Sequence, residues 1–143
     1  MKRKYFLVVL FLILAIFLSG CSGGGIVTPA NDEAAVKSVV NEYFLAINDQ
    51  KWSKAKGYCV YGSDRYYKTC GLEDGINVLY QYANIVTITC FVTISNVSIN
   101  GSYATVYGSG TIVITADYYS ESESASTTYY LQKVGNSWKI YAP

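Results

Sequence analysis

The chain has 143 residues, with 11 basic and 10 acidic side chains and no histidine. Three of the basic residues lie within the first four positions, so the rest of the chain carries a slight acidic excess. Such a charge balance does not match a row of phosphates, and nucleic-acid binding is not expected. The absence of histidine excludes triads with an imidazole base and most zinc sites. We therefore expect no metal and no cofactor.

The first 20 residues have the pattern of an export signal. A basic start, Lys2-Arg3-Lys4, precedes a charge-free apolar run, Tyr5 to Phe17, which is shorter than the roughly 20 residues that span a bilayer. Leu18-Ser19-Gly20-Cys21 then resembles the lipobox of prokaryotic lipoproteins, in which the cysteine is diacylated and becomes the first residue. Two acyl chains suffice for stable anchoring. An ordinary secretory signal or an uncleaved anchor are the alternatives.

Three regions follow from this pattern. Residues 1–20 are a predicted signal peptide, and residues 21–30 are the lipidated Cys21 and a glycine-rich flexible tether. Residues 31–143 form one domain of ordinary size. The expected location is the extracytoplasmic side of the cell membrane, or the outer membrane if the cell has two, which Ser22 would permit. We expect the protein to bind the membrane through the lipid on Cys21.

The body contains three further cysteines. Cys59 and Cys70 are separated by a short polar connection and are the natural pair for a disulfide in an oxidising compartment. Cys90 falls on the apolar side of an alternating segment, where a free cysteine acts as a small hydrophobe. A metal site formed by the three thiols is a distant alternative.

Apolar residues in the first half of the domain recur at helical spacing. They predict a long helix that ends at Asn48-Asp49-Gln50, a short helix through Trp52 to Cys59, and a third helix from Leu72 to Tyr82.

After Asn84 the apolar period changes to two, which predicts strands. The first runs from Val86 to Ile99 with a bulge at Ser95-Asn96, and Asn100-Gly101 predicts a hairpin. The remaining strands are expected from Tyr103 to Ala116, from Thr127 to Val134 and from Ser137 to Ala142, with a turn over Ser120 to Ser126. This order predicts an α+β fold with N-terminal helices packed on an antiparallel sheet of about four strands.

Two segments carry a resemblance to a known family. The run Tyr43 to Ala55 resembles the opening of NTF2-like (cystatin-like) domains, where an aromatic-rich helix runs into an Asn/Asp turn and an aromatic-x-x-Ala helix. The run Tyr130 to Ile140 is similar to that family's final hairpin with its tryptophan-bearing strand. The resemblance implies a cone in which a bent sheet wraps around the long helix, and Gly108 and Gly110 fit such a bend.

Some members of that family catalyse acid–base reactions, which need carboxyl groups in dry surroundings. The ten acidic residues here fall on helix caps, wet faces or turns, and even Asp117 is expected to be a solvated strand-end acid. No catalytic residue of the family can be placed on this sequence. We therefore expect a domain that is not an enzyme, with an isomerase-like or cyclase-like enzyme as the least favoured alternative.

The high tyrosine content, 15 against five phenylalanines, suggests binding. One hypothesis is a sheet face that docks a second copy or another envelope protein; its candidate residues are Tyr103, Thr105, Tyr107, Thr111 and Tyr119. The other is a cone pocket that holds a small molecule; its candidate residues are Tyr43, Tyr58, Tyr80, Trp52 and Trp138. The favoured function is a membrane-anchored interaction module, and the alternative is a small-molecule-binding pocket.

Overall fold

A computed structural model describes residues 30–143, and within them three helices precede four strands. The strands form one antiparallel sheet in the order β1-β2-β3-β4, so each strand pairs with its neighbour in sequence. The predicted α+β layout is confirmed. The elements are α1 (Ala30–Asn48), α2 (Trp52–Gly57), α3 (Asp64–Leu79), β1 (Val86–Asn100), β2 (Tyr103–Ala116), β3 (Tyr119–Val134) and β4 (Ser137–Ala142).

Helix α1 packs against the inner face of the sheet because one side of the helix is apolar. Its buried residues recur at intervals of three and four: Val36, Val40, Tyr43, Phe44 and Ile47. The inner rows of the strands supply the other half of the core, with Ile88, Cys90, Val106, Ile114, Leu131 and Ile140.

The first two strands bend at a β-bulge. The pairing of β1 with β2 shifts register between Ile94 and Asn96, which leaves Ser95 as the extra residue. Gly108 pairs with Ile94 at this point, and a Cβ on Gly108 would lie 2.5 Å from the carbonyl oxygen of Thr93. Only glycine permits so close an approach. The predicted bulge and the predicted curvature glycine are both confirmed.

Side-chain amides from the end of α1 occupy the free edge of β1. The Asn48 amide donates to the carbonyl of Cys90 at 3.1 Å, and its oxygen accepts from the Cys90 N–H at 2.6 Å. The amide of Gln50 and the hydroxyl of Tyr80 both donate to the carbonyl of Val86 at 3.0 Å. These groups stand where the backbone of a further strand would be and satisfy an edge that is otherwise open.

The opposite edge, β4, is covered by the connection between α2 and α3. The N–H of Val60 donates to the carbonyl of Ile140 at 2.8 Å, and the N–H of Ile140 donates to the carbonyl of Tyr58 at 2.9 Å. The helical half of the chain thus bonds both outer strands, β1 through side chains and β4 through backbone groups, and the helices are fixed to the sheet at its two edges.

The third helix begins earlier than the sequence pattern predicts. It starts at Asp64 rather than at Leu72, because the Ser63 hydroxyl caps it by accepting from the N–H of Tyr66 at 3.3 Å. This extra N-terminal portion adds about two turns to the helix and brings Arg65 onto the face that carries Leu72.

The predicted turn over Ser120 to Ser126 is wrong. The chain turns instead at Asp117-Tyr118, where Asp117 has a φ of 51°, and the serine-rich segment belongs to β3. Hydroxyls stabilise this pairing with β2: Thr111 bonds Ser124 at 2.7 Å and Thr115 bonds Ser120 at 3.1 Å. The strand therefore starts at Tyr119, eight residues before the predicted position.

We expect Asn48→Ala to lower the free energy of unfolding by about 1–3 kcal/mol, because it leaves the backbone groups of Cys90 without these partners. Urea unfolding followed by circular dichroism measures the change. Asn41→Ala, on the exposed side of the same helix, is the matched control and is expected to change stability by about 0.5 kcal/mol or less. Equal losses in the two variants would contradict this role of Asn48.

Candidate functional site

The interior of the cone holds an arginine. The side chain of Arg65 is fully buried, and its guanidinium carbon lies over three aromatic rings. The distances to the ring centroids are 4.8 Å for Tyr43, 5.1 Å for Tyr129 and 5.5 Å for Phe44. Desolvated cation–π contacts of this kind are each worth about 2 kcal/mol, and they offset part of the cost of burying the charge.

The helical spacing of α3 puts Arg65 in the core. The inward residues of this helix are Arg65, Thr69, Leu72, Ile76 and Leu79, at steps of four and three. Sequence reasoning missed Arg65 because it began this helix at Leu72. The sequence does contain a signal for the earlier start. Ser63 is a typical N-cap residue, and steps of three and four residues back from Leu72 place Thr69 and Arg65 on the same buried face of the helix.

Arg65 places a positively charged side chain in the interior. Every Asp and Glu side chain of residues 30–143 is at least partly exposed, so the acidic groups lie at the surface. Burial lowers the pKa of Arg65, but the facing Tyr43, Tyr129 and Cys59 groups raise it more, and the net shift is upward. The guanidinium is therefore a cation at every pH at which the protein is folded.

Two hydroxyls and a thiol pack beneath the arginine. The Tyr43 hydroxyl is 2.9 Å from Oγ1 of Thr69, and this Oγ1 donates to the carbonyl of Arg65 at 2.8 Å. The Cys59 thiol lies 3.8 Å from the same Oγ1. Burial raises the pKa of Tyr43 to about 12, and Arg65 opposes this rise. The tyrosine is thus a neutral hydrogen-bonding group and not a base at neutral pH.

A cleft opens at the mouth of the cone beside this group. It encloses about 300 Å³ of space, including the part open to solvent, and a water-sized sphere can reach about 20 Å³ of it. The second volume corresponds to about one water molecule, so the cleft is narrow. The lining residues are Phe44, Cys90, Phe91, Val92, Gly110, Thr111, Ile112, Ala125, Thr127 and Tyr129.

The five residues predicted to line a pocket lie in different places. Tyr43 is in the cone, but the Tyr58 hydroxyl donates to Glu42 at 3.4 Å and Tyr80 is half-exposed at the β1 edge. Trp138 donates to Asp32 at 3.4 Å, and Trp52 packs on the margin of the core. These side chains therefore do not form one site, and Phe44, Tyr129 and Arg65 take that place.

The predicted Cys59–Cys70 disulfide is not present in the structure, where Cys59, Cys70 and Cys90 are free thiols. Successive helical residues are rotated by about 100°, so Thr69 faces Cys59 while Cys70 points toward the surface of α3. Cys90 is buried, as expected for a small hydrophobe. Burial raises the pKa of Cys90 to about 12 and also raises that of Cys59, which leaves both thiols protonated.

The outer face of β1, β2 and β3 presents seven rows of three paired residues, and none of the 21 is charged. Apart from the buried Thr128 these side chains are exposed or half-exposed. The rows are Thr87-Thr115-Ser120, Thr89-Val113-Ser122, Phe91-Thr111-Ser124, Thr93-Ser109-Ser126, Asn96-Tyr107-Thr128, Ser98-Thr105-Tyr130 and Asn100-Tyr103-Gln132.

Four of the five predicted face residues lie on this outer face: Tyr103, Thr105, Tyr107 and Thr111. Tyr119 does not, because it pairs with Ala116 on the inner row. The early turn at Asp117-Tyr118 changes the parity of the strand and moves Tyr119 to the other side. At one end of the face, Tyr103 and Tyr130 pack on Tyr141, with ring centroids 6.4 and 6.2 Å apart.

Asp117 is a turn residue. Its carboxylate accepts from the N–H groups of Asn84 and Ile85 at 3.0 and 2.9 Å, which ties the start of β1 to the β2–β3 turn.

Residues 30–143 contain no group of three side chains arranged to hold a metal ion. Within the same residues no helix is long and apolar enough to cross a membrane. The lipobox and Cys21 lie outside the described residues.

Solved structures share this architecture. Aln2 from a Streptomyces species superposes with a TM-score of 0.65 at 8% identity, over 81% of this chain and 90% of its own. An NTF-2 like protein of unknown function from Shewanella oneidensis gives 0.59 at 9% identity, over 77% and 94%. A protein of the NTF2-like family from Streptomyces avermitilis, described as a candidate dehydratase, gives 0.59 at 14% identity, over 80% and 94%.

The fold is the NTF2-like cone. The resemblance seen in the two sequence segments is thereby confirmed at the level of fold. At these identities the likeness does not extend to activity or ligand. No family model matches the sequence, and no curated protein matches it.

We expect the NTF2-like domain to show one fast-reacting thiol. Cys70 is partly exposed, whereas Cys59 and Cys90 are buried protonated thiols, so they should react at least about a hundredfold more slowly with iodoacetamide at pH 8. Peptide mass spectrometry of a Cys21→Ser chain after timed labelling gives the order, and labelling in urea shows that all three sites can react. Protection of both Cys59 and Cys70 until a reductant is added would instead demonstrate the disulfide.

Proposed function

We propose that the protein is an exported, lipid-anchored interaction module whose NTF2-like domain self-associates through the outer face of its sheet and catalyses no reaction. The observation that carries the proposal is the uncharged outer face of three paired strands. In a two-fold dimer each residue meets the same patch of the other copy, so a face without charges brings no like charges together.

The size of the face is sufficient for a dimer. Fourteen residues of strand at about 3.3 Å each, across three strands at about 4.8 Å, give roughly 600 Å² per copy. Two copies would bury roughly 1,200 Å², which is the lower limit of stable interfaces. Exposed Phe91 and Tyr103, at 63% and 58% exposure, supply aromatic contact area on this face.

The absence of catalysis is supported by the position of the acids. General acid–base chemistry of the kind found in NTF2-like isomerases needs a carboxyl group shielded from water, and each Asp and Glu of residues 30–143 is at least partly exposed. The description of one structural neighbour as a candidate dehydratase applies to that protein. An enzyme of the isomerase or cyclase type is therefore the less favoured proposal.

Self-association has a direct test. Ser109→Lys places a cation at the centre of the outer face, in the fourth of its seven rows, so two cations would meet in the dimer and the dimer should dissociate at least about tenfold more readily. Size-exclusion chromatography with light scattering on residues 22–143 measures the mass. Ser38→Lys, an exposed position on α1, is the matched control and should keep the mass of the unmodified chain. A monomeric unmodified chain at high concentration would refute self-association.

The lipid anchor is tested separately. Cys21→Ser removes the thiol that carries the diacylglycerol, so incorporation of labelled palmitate should be lost and the protein should leave the membrane fraction. Cys70→Ser, which keeps the lipobox intact, should be labelled and membrane-bound like the unmodified chain. Palmitate labelling that survives Cys21→Ser would show that the anchor lies elsewhere.

A further inference from the structure

One end of the cone brings together the start of α1 and two hairpins. The N–H of Lys133 donates to the carbonyl of Ser102 at 2.8 Å, which joins the β3–β4 hairpin to the β1–β2 hairpin. The ammonium of Lys133 lies 3.0 Å from the carboxylate of Asp32, in the first turn of α1. The tether predicted for residues 21–30 therefore meets the domain beside these two hairpins.

A wide groove begins at the same end and continues along β4. It encloses about 1030 Å³ of space, including the part open to solvent. Its lining includes Val134, the last residue of β3, and Lys139 on β4. Val60, Tyr61 and Tyr66 line it from the connection before α3 and the first turn of that helix. None of its lining residues belongs to the 21 residues of the outer face, so the groove is distinct from the surface proposed to self-associate.

The groove exposes aromatic and apolar side chains. Tyr61 is 85% exposed and Val134 is 44% exposed, and the ring centroid of Tyr61 lies 5.0 Å from that of Tyr66. A third exposed ring, that of Tyr67, extends the group at 5.8 Å from Tyr66. Tyrosine is enriched where a membrane meets water, because its ring is apolar and its hydroxyl is polar. This group therefore matches the headgroup level of a bilayer.

The charged side chains that line the groove are cations. No aspartate or glutamate of the described residues lines it. Lys56 is 2.7 Å from the carboxylate of Glu73, which balances its charge. Lys139 donates to the carbonyl of Gly57 at 2.7 Å, and no ion pair within residues 30–143 includes it. Since an ammonium has three N–H donors, Lys139 can also donate to a lipid phosphate, and its charge favours anionic lipids.

We propose that this groove lies against the bilayer surface, with Tyr61 and Tyr66 at the headgroup level and Lys139 on a lipid phosphate. The inference rests on the proposed lipid anchor, which keeps the domain near a bilayer. Residues 21–30 span at most about 35 Å when fully extended, and they join the domain at the end where the groove begins. The partner is therefore the lipid surface that holds the anchor, and the contact fixes which side of the domain faces it.

Lipid contact is measured with a fluorescent dye in the groove. The full-length chain carries Cys21→Ser and Cys70→Ser, and a histidine tag before Met1 holds it on vesicles with nickel-chelating lipid, so the result does not depend on acylation of Cys21. The vesicles also contain phosphatidylglycerol, phosphatidylethanolamine and a lipid whose spin-labelled headgroup quenches the dye. A dye on Ser53→Cys, in the groove, should be quenched at least about threefold more than a dye on Tyr118→Cys, in the exposed β2–β3 turn.

Two variants separate the cation from the rings. Lys139→Gln should reduce quenching of the groove dye by at least about half on these vesicles and leave it unchanged on vesicles of phosphatidylcholine. Tyr61→Ser should reduce it by at least about half on both kinds of vesicle. Lys51→Gln makes the same change of net charge outside the groove, and Tyr82→Ser removes an exposed tyrosine outside it, so both should keep the quenching of the parent chain.

Equal quenching of the two dyes would overturn the proposal, and so would groove quenching that survives both Lys139→Gln and Tyr61→Ser. A change in the groove dye that rises with the density of chains and needs no spin-labelled lipid would place a second copy in the groove, which also overturns it. The anchor is judged apart from this contact. Equal quenching with palmitate on Cys21 refutes the contact and keeps the anchor, whereas groove quenching without palmitate on Cys21 refutes the anchor and keeps the contact.

Discussion

The bend in the first two strands is the constraint on which the rest of the structure depends. Ser95 adds a residue to β1, and Gly108 lets β2 pass within reach of the Thr93 carbonyl, so the sheet curves around α1. A flat sheet would give the helices one surface to lie on and no interior. The curvature creates the closed end in which Arg65 is held and the narrow mouth beside Phe44 and Tyr129.

Burying the charge of Arg65 costs free energy, and contacts with aromatic rings offset part of this cost. Buried cations in proteins are commonly balanced by carboxylates. Here the guanidinium is surrounded by the faces of three rings, and the acids of the described chain are at the surface. An apolar residue would fill the same space at lower cost.

Much of the fold could be predicted from the sequence, because long runs with one clear period determine it. The strand period of two from Val86 and the parity change at Ser95 located β1 and its bulge. The failures have local causes. The sequence pattern does not predict the start of α3 because the first turn of this helix is polar. The serine-rich segment has the composition of a turn, but threonine hydroxyls on β2 pair with its serines and it forms a strand. The buried Arg65 could not be predicted because it lies in that polar first turn.

The amide of Asn48 affects whether the β1 edge can pair with another molecule. A sheet edge with free backbone groups can recruit the edge of any neighbouring molecule, and repetition of that step produces fibres. By holding both backbone groups of Cys90, one side chain closes the part of β1 nearest to α1, and the bulge twists the remainder away. The backbone of Cys90 is therefore not available to pair with the edge strand of another molecule.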